Sequence, residues 1–125
     1  MPSPDAVVRS MCECWNASAP DPGRISEFFA EDAVYHNIPV EPAVGRTAIR
    51  DTIAGFLTMV DRIEFEIHHQ LASGNVVMNE RTDTFHVGGR ATPLRVTGVF
   101  EVDNGLITAW RDYFDMAQGS RAMGL

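Results

Sequence analysis

The stretch Asp103-Asn104-Gly105-Leu106-Ile107-Thr108-Ala109-Trp110-Arg111-Asp112-Tyr113-Phe114-Asp115 contains a turn and the strand that follows it. Asparagine-glycine is the strongest short hairpin signal, because both central positions of the favoured turn need a left-handed backbone that these residues tolerate. Alternate strand side chains share a face, so Trp110, Asp112 and Phe114 point one way and Arg111, Tyr113 and Asp115 the other. This sets a carboxylate between two large aromatics on a face that should be buried. An isolated ionised carboxylate in apolar surroundings is costly, so Asp112 needs partners elsewhere in the chain.

Upstream of the turn, Leu94, Val96, Gly98 and Phe100 share one face of a strand, with Val99 on the other. Gly88-Gly89 turns the chain into it from a long strand, residues 76–87, and Ser73-Gly74-Asn75 makes the turn before that. Before this turn, Ile63, Phe65, Ile67 and Leu71 alternate with Glu64, Glu66, His68 and Gln70, the pattern of a half-exposed strand. Four strands joined by short turns make an antiparallel meander. Earlier still the period is helical. Ser3-Pro4-Asp5 starts a helix with Val7, Val8, Met11 and Trp15 on one face. Ile25, Phe28 and Phe29 predict a short second helix ending near Glu31-Asp32, followed by a strand over residues 33–38 that Pro39 stops. The segment to Gly45 reads as a loop. A third helix begins at Arg46, with Ile49, Ile53, Phe56, Leu57 and Val60 on one side, and a short last helix spans Met116 to Met123. The expectation is one α+β domain over residues 1–125, its twisted sheet curling over the helices to enclose a pocket.

Composition narrows the function. Of 125 residues 45% are hydrophobic and 22% charged, ordinary for a globular protein. With a net charge of −7 and scattered basic residues, nucleic acid and anionic membrane are poor partners. All ten basic residues are arginine, which excludes lysine Schiff-base chemistry and lysine bases. Cys12 and Cys14 lie on nearly opposite sides of a helix and cannot bridge. His36, His68, His69 and His86 do not converge, so no metal is expected. There is no Gly-x-Ser-x-Gly elbow, so an α/β-hydrolase mechanism lacks both its nucleophile turn and its chain length. A glycine-rich phosphate cradle is also missing, and no cofactor is expected. Glu64, Glu66 and Asp115 fall on outer faces and read as solvated charges. There is no basic-then-apolar leader and no apolar run of about 18 residues, so a cytoplasmic location is expected.

The partners of Asp112 are sought on the second strand of the meander. There Val77, Asn79, Arg81, Asp83, Phe85 and Val87 share a face, apolar at its ends and polar in its middle. A guanidinium and a carboxylate on an inward face each need compensation. If Asp112 lies nearby, Arg81 can fork between the two acids. Two close carboxylates cannot both ionise cheaply in a dry site, so one anion is favoured and the other group can hold a proton. Such a site owns a general base and a general acid at the same pH. Tyr35 and Asn37, two apart on one strand face, form a second pair able to hold a water molecule. A buried ion pair with tyrosine and asparagine pinning the fold is an equal reading of the spacing, which also leaves open which acid would be which.

Taken together, Tyr35-x-Asn37-x-Pro39, Gly45-Arg46, Glu80-Arg81-x-Asp83, Gly98-Val99-Phe100 and Trp110-Arg111-Asp112-Tyr113-Phe114-Asp115 resemble the limonene-1,2-epoxide hydrolase family, in its order and spacing. The resemblance implies the nuclear-transport-factor-2-like (SnoaL-like) fold: a curved, mixed, mostly antiparallel sheet with helices closing a deep pocket, usually as a homodimer. It also implies roles. Asp112 matches the general base that activates water, and Tyr35 and Asn37 match the other groups holding that water. Asp83 matches the acid that protonates the epoxide oxygen, and Arg81 the bridge between the acids. Water would open the ring directly, with no covalent ester. The apolar wall for an epoxide substrate is expected from Phe56, Val60, Phe85, Leu94, Val96 and Phe114.

Two rival readings use the same residues. An isomerase or cyclase of the ketosteroid-isomerase type could stand on this scaffold, but it has no need of an arginine between two acids. A non-catalytic binder of small apolar molecules would turn over no epoxide at all.

Overall fold

The computed structural model describes residues 1–125. Ser3 caps helix α1 (Pro4–Cys14), its hydroxyl accepting the Ala6 N–H at 3.2 Å, and Asp21 caps helix α2 (Pro22–Ser26) through the Gly23 N–H at 2.9 Å. These caps take up backbone donors that a first helical turn leaves unpaired. The remaining elements are β1 (Phe29–Asn37), β2 (Ala43–Val44), α3 (Arg46–Met59), β3 (Arg62–Ser73), β4 (Val76–Val87), β5 (Arg90–Asp103), β6 (Leu106–Tyr113) and α4 (Met116–Ala122).

One six-stranded sheet carries the molecule, in the order β2-β1-β6-β5-β4-β3. Strands β3 to β6 form the antiparallel meander, and β1 joins it parallel to β6, which makes the sheet mixed. The Asn104-Gly105 turn has both residues left-handed, at φ 51° and 78°, as the hairpin chemistry requires. Curvature of the unclosed sheet leaves an inner face on which α1, α3 and α4 pack. Val7, Val8 and Met11 of α1 and Trp15 at its C-cap are buried there, with Ile49 and Ile53 of α3. The core centres on Trp110, whose ring lies 4.2 Å from that of Tyr35, 5.4 Å from Phe100 and 6.0 Å from Phe29, all stacked.

Four expectations about elements are corrected. The second helix does not reach Asp32. It ends at Ser26, and Phe29 already belongs to β1, where it is wholly buried and pairs with Ile107. Burial of Phe29 and Ala33 against the sheet outweighs the local helical pattern. The loop before Gly45 contains a two-residue strand, Ala43–Val44, paired antiparallel to Val34 and Tyr35. The third helix stops at Met59, with Val60 extended at φ −128° and ψ 156°. Finally, β3 does not alternate without interruption. A bulge between Ile67 and His69 shifts its register on β4, so Gln70 faces Asn79 and Leu71 turns outward, 78% exposed. One extra residue reverses the phase of everything beyond it.

Candidate active site

Strand register aligns the site. Reading across the sheet, Asn37 pairs with Asp112, Asp112 with Gly98, Gly98 with Asn79, and Asn79 with Gln70. This polar row crosses five strands. The next inward residue along β4 is Arg81, opposite Val96, and the one after it is Asp83, opposite Leu94.

Arg81 is 0% exposed and Asp83 and Asp112 are each 4% exposed. The guanidinium reaches from β4 over β5 to β6. Its Nε and Nη2 donate to Asp83 at 3.0 and 2.9 Å, and its Nη2 and Nη1 donate to Asp112 at 2.8 and 3.2 Å. Nη1 also donates to Asn79 Oδ1 at 3.1 Å, so all five N–H donors have acceptors. Removing one member of such a buried set would leave an uncompensated charge, so these residues depend on one another. Trp110 Nε1 donates to Asp112 Oδ1 at 2.6 Å and fixes the second carboxylate from its own strand. The guanidinium carbon also lies 4.8 Å from the Phe65 ring centroid, in cation–π contact.

Gly98 makes the crossing possible. A β-carbon at this position would lie 2.6 Å from Arg81 Nη1 and 2.9 Å from Asn79 Oδ1. Only a residue without a side chain lets the guanidinium lie this close to β5.

Burial pushes the Asp83 carboxyl above the ordinary aspartate range, the charge of Asp112 adds to this, and Arg81 opposes it. For Arg81, burial works against its charge, but the charges of Asp112 and Asp83 outweigh it and hold the group protonated. Burial, then the charge of Asp112, pushes the Tyr35 phenol above its usual range, so it stays a hydroxyl donor. The arrangement therefore holds one carboxyl biased toward its acid form beside a second carboxyl on the same guanidinium.

Both carboxyl groups, with Tyr35 and Asn37, line a cavity of about 190 Å³ whose remaining lining is mostly apolar. Arg81 lies behind them. Of the six expected wall residues, Phe56, Phe85, Leu94, Val96 and Phe114 line the cavity; Val60 does not. Val60 is 8% exposed within the main core, because α3 ends one residue before it and its direction is set by the extended backbone rather than by the helix. Trp15, Phe65 and residues of α4 and beyond, among them Met116 and Met123, also line the cavity, as do Val40, Met59 and Ile63, and all lie outside the expected set. The facing of Trp15, Met116 and Met123 depends on how α1 and α4 dock, which helical spacing alone does not specify, whereas Phe65 lies on the β3 face that alternation marks as apolar. Asp115, expected to be a solvated charge, caps α4 by accepting the Gln118 N–H at 2.9 Å. Glu64 is exposed and pairs on the outer face with Arg62 at 2.7 Å and His86 at 2.6 Å.

The limonene-1,2-epoxide hydrolase catalytic domain, as a family model, matches residues 7–122. The chain belongs to the limonene-1,2-epoxide hydrolase family. One relative is epoxide hydrolase EphG of Mycobacterium tuberculosis (strain ATCC 25618 / H37Rv), 42% identical over 88 residues. That match covers 69% of this chain and 57% of EphG, so the chain spans little more than half of that relative's length. A solved structure of an M. tuberculosis LEH-like epoxide hydrolase is 30% identical, with a TM-score of 0.77 over 96% of this chain and 88% of that one. An NTF2-like protein of unknown function from Burkholderia pseudomallei K96243 superposes with a TM-score of 0.86 over both complete chains at 20% identity, which speaks to the fold alone. The nuclear-transport-factor-2-like architecture expected from the family resemblance is the one observed, in its mixed sheet and its packed helices.

Proposed function

We propose that this protein is an epoxide hydrolase that adds water to an apolar epoxide, cyclic or alkyl, to give a vicinal diol in one step. The observation that carries the reading is the Arg81 fork, which joins two buried carboxyl groups that both face an apolar cavity. The activity of the 42%-identical relative, an epoxide hydrolase, points the same way.

In this reading Asp112, Tyr35 and Asn37 hold the attacking water. Asp112 takes a proton from it as the water oxygen bonds to one ring carbon and the carbon–oxygen bond of the epoxide breaks. Asp83 gives its proton to the departing oxygen, which becomes the second hydroxyl. The pair ends with its protonation reversed, and one proton moving between the acids or through solvent restores it. Arg81 stabilises whichever carboxylate is charged. No ester to the enzyme forms. The raised pKa of Asp83, caused by burial and by Asp112, supports its role as the acid.

The almost uncharged wall of Phe56, Phe85, Leu94, Val96 and Phe114 suits a hydrocarbon ring or chain, limonene-1,2-epoxide being one member of that class. A homodimer in solution belongs to the same reading and is tested by sedimentation.

Asp112→Asn is expected to keep the fold and to lower diol formation by about 1,000-fold, since removal of a catalytic base costs on the order of 10²–10⁴. Near-full turnover by that variant would remove Asp112 from the mechanism. One turnover in heavy-oxygen water is expected to put label into the first diol released. Unlabelled first diol, with label later in the protein, would instead mean an ester intermediate.

A further inference from the structure

The acceptor that Arg81 finds in Asn79 is itself held from behind. Asn79 Nδ2 donates to Gln70 Oε1 at 3.1 Å. Gln70 Nε2 donates in turn to the Asp5 carboxylate at 2.8 Å and to the Asp5 main-chain oxygen at 3.1 Å. The chain of contacts thus runs from the first turn of α1, through β3, to β4 and the guanidinium.

Its direction is dictated by its ends. A primary amide has one accepting and one donating end. The Asp5 carboxyl is held below its ordinary range, first by the Gln70 hydrogen bond, and so stays ionised. It offers only acceptors, so Gln70 must present its NH2 there and its oxygen to Asn79. Asn79 must then present its NH2 to Gln70 and its oxygen to Arg81. Flipping either amide would set donor against donor, for Asn79 against a buried cation. Gln70 can take part only because the β3 bulge turns it inward. An uninterrupted strand would have put Leu71 in phase with the inner face and Gln70 in solvent.

We propose that Asp5, Gln70 and Asn79 form a positioning relay that fixes the Arg81 fork between Asp83 and Asp112. The catalytic consequence rests on the hydrolase reading; the positioning does not. Asn79 is neutral, so it orients Arg81 without drawing charge from the two carboxylates. Arg9 of α1 donates to the Asp5 carboxylate at 3.2 Å and anchors the far end of the relay. Other titratable groups facing the set are Cys12 of α1 and Tyr35 of β1, both held in their neutral forms by burial. The charged residues Arg50 of α3, Glu64 and Glu66 of β3, Arg95 of β5 and Arg121 of α4 are exposed.

The test compares the full-length wild type with Asn79→Asp, Gln70→Leu and Gln70→Glu. Carbon-13 carboxyl NMR follows the titration of Asp83 and Asp112 without substrate, and kcat and KM are measured on cyclohexene oxide. Asn79→Asp sets a third carboxylate on the same guanidinium and is expected to raise the titration of the acid pair by about one pH unit, roughly tenfold in proton affinity. Gln70→Leu is expected to lower kcat about tenfold with KM nearly unchanged, the pattern of a lost transition-state interaction. Gln70→Glu is expected to recover part of the wild-type kcat, because an acid there still accepts from Asn79 and, protonated, still donates to Asp5. Unaltered titration and kinetics in Asn79→Asp and Gln70→Leu would overturn the relay. If Gln70→Leu does not fold, the isosteric Asn79→Asp decides alone. A wild type that forms no diol from any epoxide overturns the hydrolase reading, while the titrations still decide the relay.

Discussion

Gly98 carries no functional group, yet the geometry of the acid pair depends on it. Gly98→Ala would drive a methyl group against Arg81 Nη1, 2.6 Å away in the present arrangement, and against Asn79 Oδ1. The guanidinium must shift, and it cannot keep both carboxylates. Activity is expected to fall about 100-fold, as misplacement on the order of 1 Å commonly does, with a stability loss of roughly 1–3 kcal/mol from overpacking. Kinetics and thermal unfolding of the variant check both halves; near-wild-type kcat would show that the fork is not needed. In the proposed mechanism Asp83 sets the alkaline limit. Its carboxyl is held above the ordinary range by burial and by Asp112. The protonated fraction, and with it kcat/KM, is expected to fall as pH rises through that raised value. The same shift carries a stability contribution with the opposite sense to a usual salt-bridged aspartate. It is fully present below the ordinary aspartate pKa and is lost as pH rises through the folded value. Urea midpoints measured from acid to neutral pH should therefore decline less for Asp83→Asn than for the wild type.

At the scale of elements, α4 lends the cavity Met116 and the Met123 that follows it, and its start is held by Asp115. Asp115→Ala removes an N-cap, at a cost of about 1 kcal/mol, from a helix of only seven residues. Hydrogen exchange across residues 116–122 is expected to rise about fivefold, and KM for a bulky epoxide with it, while kcat on a small one stays near wild type. Unchanged exchange would show that packing of Gly119 against Phe114, not the cap, holds the helix. The meander strands are legible from alternation and turn residues because the two faces of each strand differ in polarity. The bulge in β3 is not. His68 and His69 are both polar and both exposed, so a slip between them leaves no trace in the pattern. Phe28-Phe29 is ambiguous for a related reason: a pair of aromatics fits a helix face as well as the entry of a strand, and only β6 beside it decides.

For the molecule as a whole, the helices and the curved sheet together define a cavity of about 190 Å³, and its shape should select substrates. Val96→Phe adds a ring to the wall, on the strand beside Arg81, and leaves the acids themselves unchanged. It is expected to raise KM for cyclic epoxides about tenfold while sparing short linear ones, since crowding a well-packed site costs on the order of 1–3 kcal/mol. Equal losses on both classes would place the effect on the acids instead. What the residues determined alone was local and periodic. Alternation put Arg81 and Asp83 on one face and Asp112 on another strand's inner face, and Asn104-Gly105 turned the chain between β5 and β6. Tertiary structure decided which of these faces meet. The parallel pairing of β1 with β6 set Asn37 beside Asp112, the docking of α1 brought Trp15 to the cavity and Asp5 to Gln70, and the end of α3 sent Val60 into the core. Periodicity reports which way a side chain leaves its own backbone; only register and packing, which depend on residues far apart in the chain, determine what it meets there.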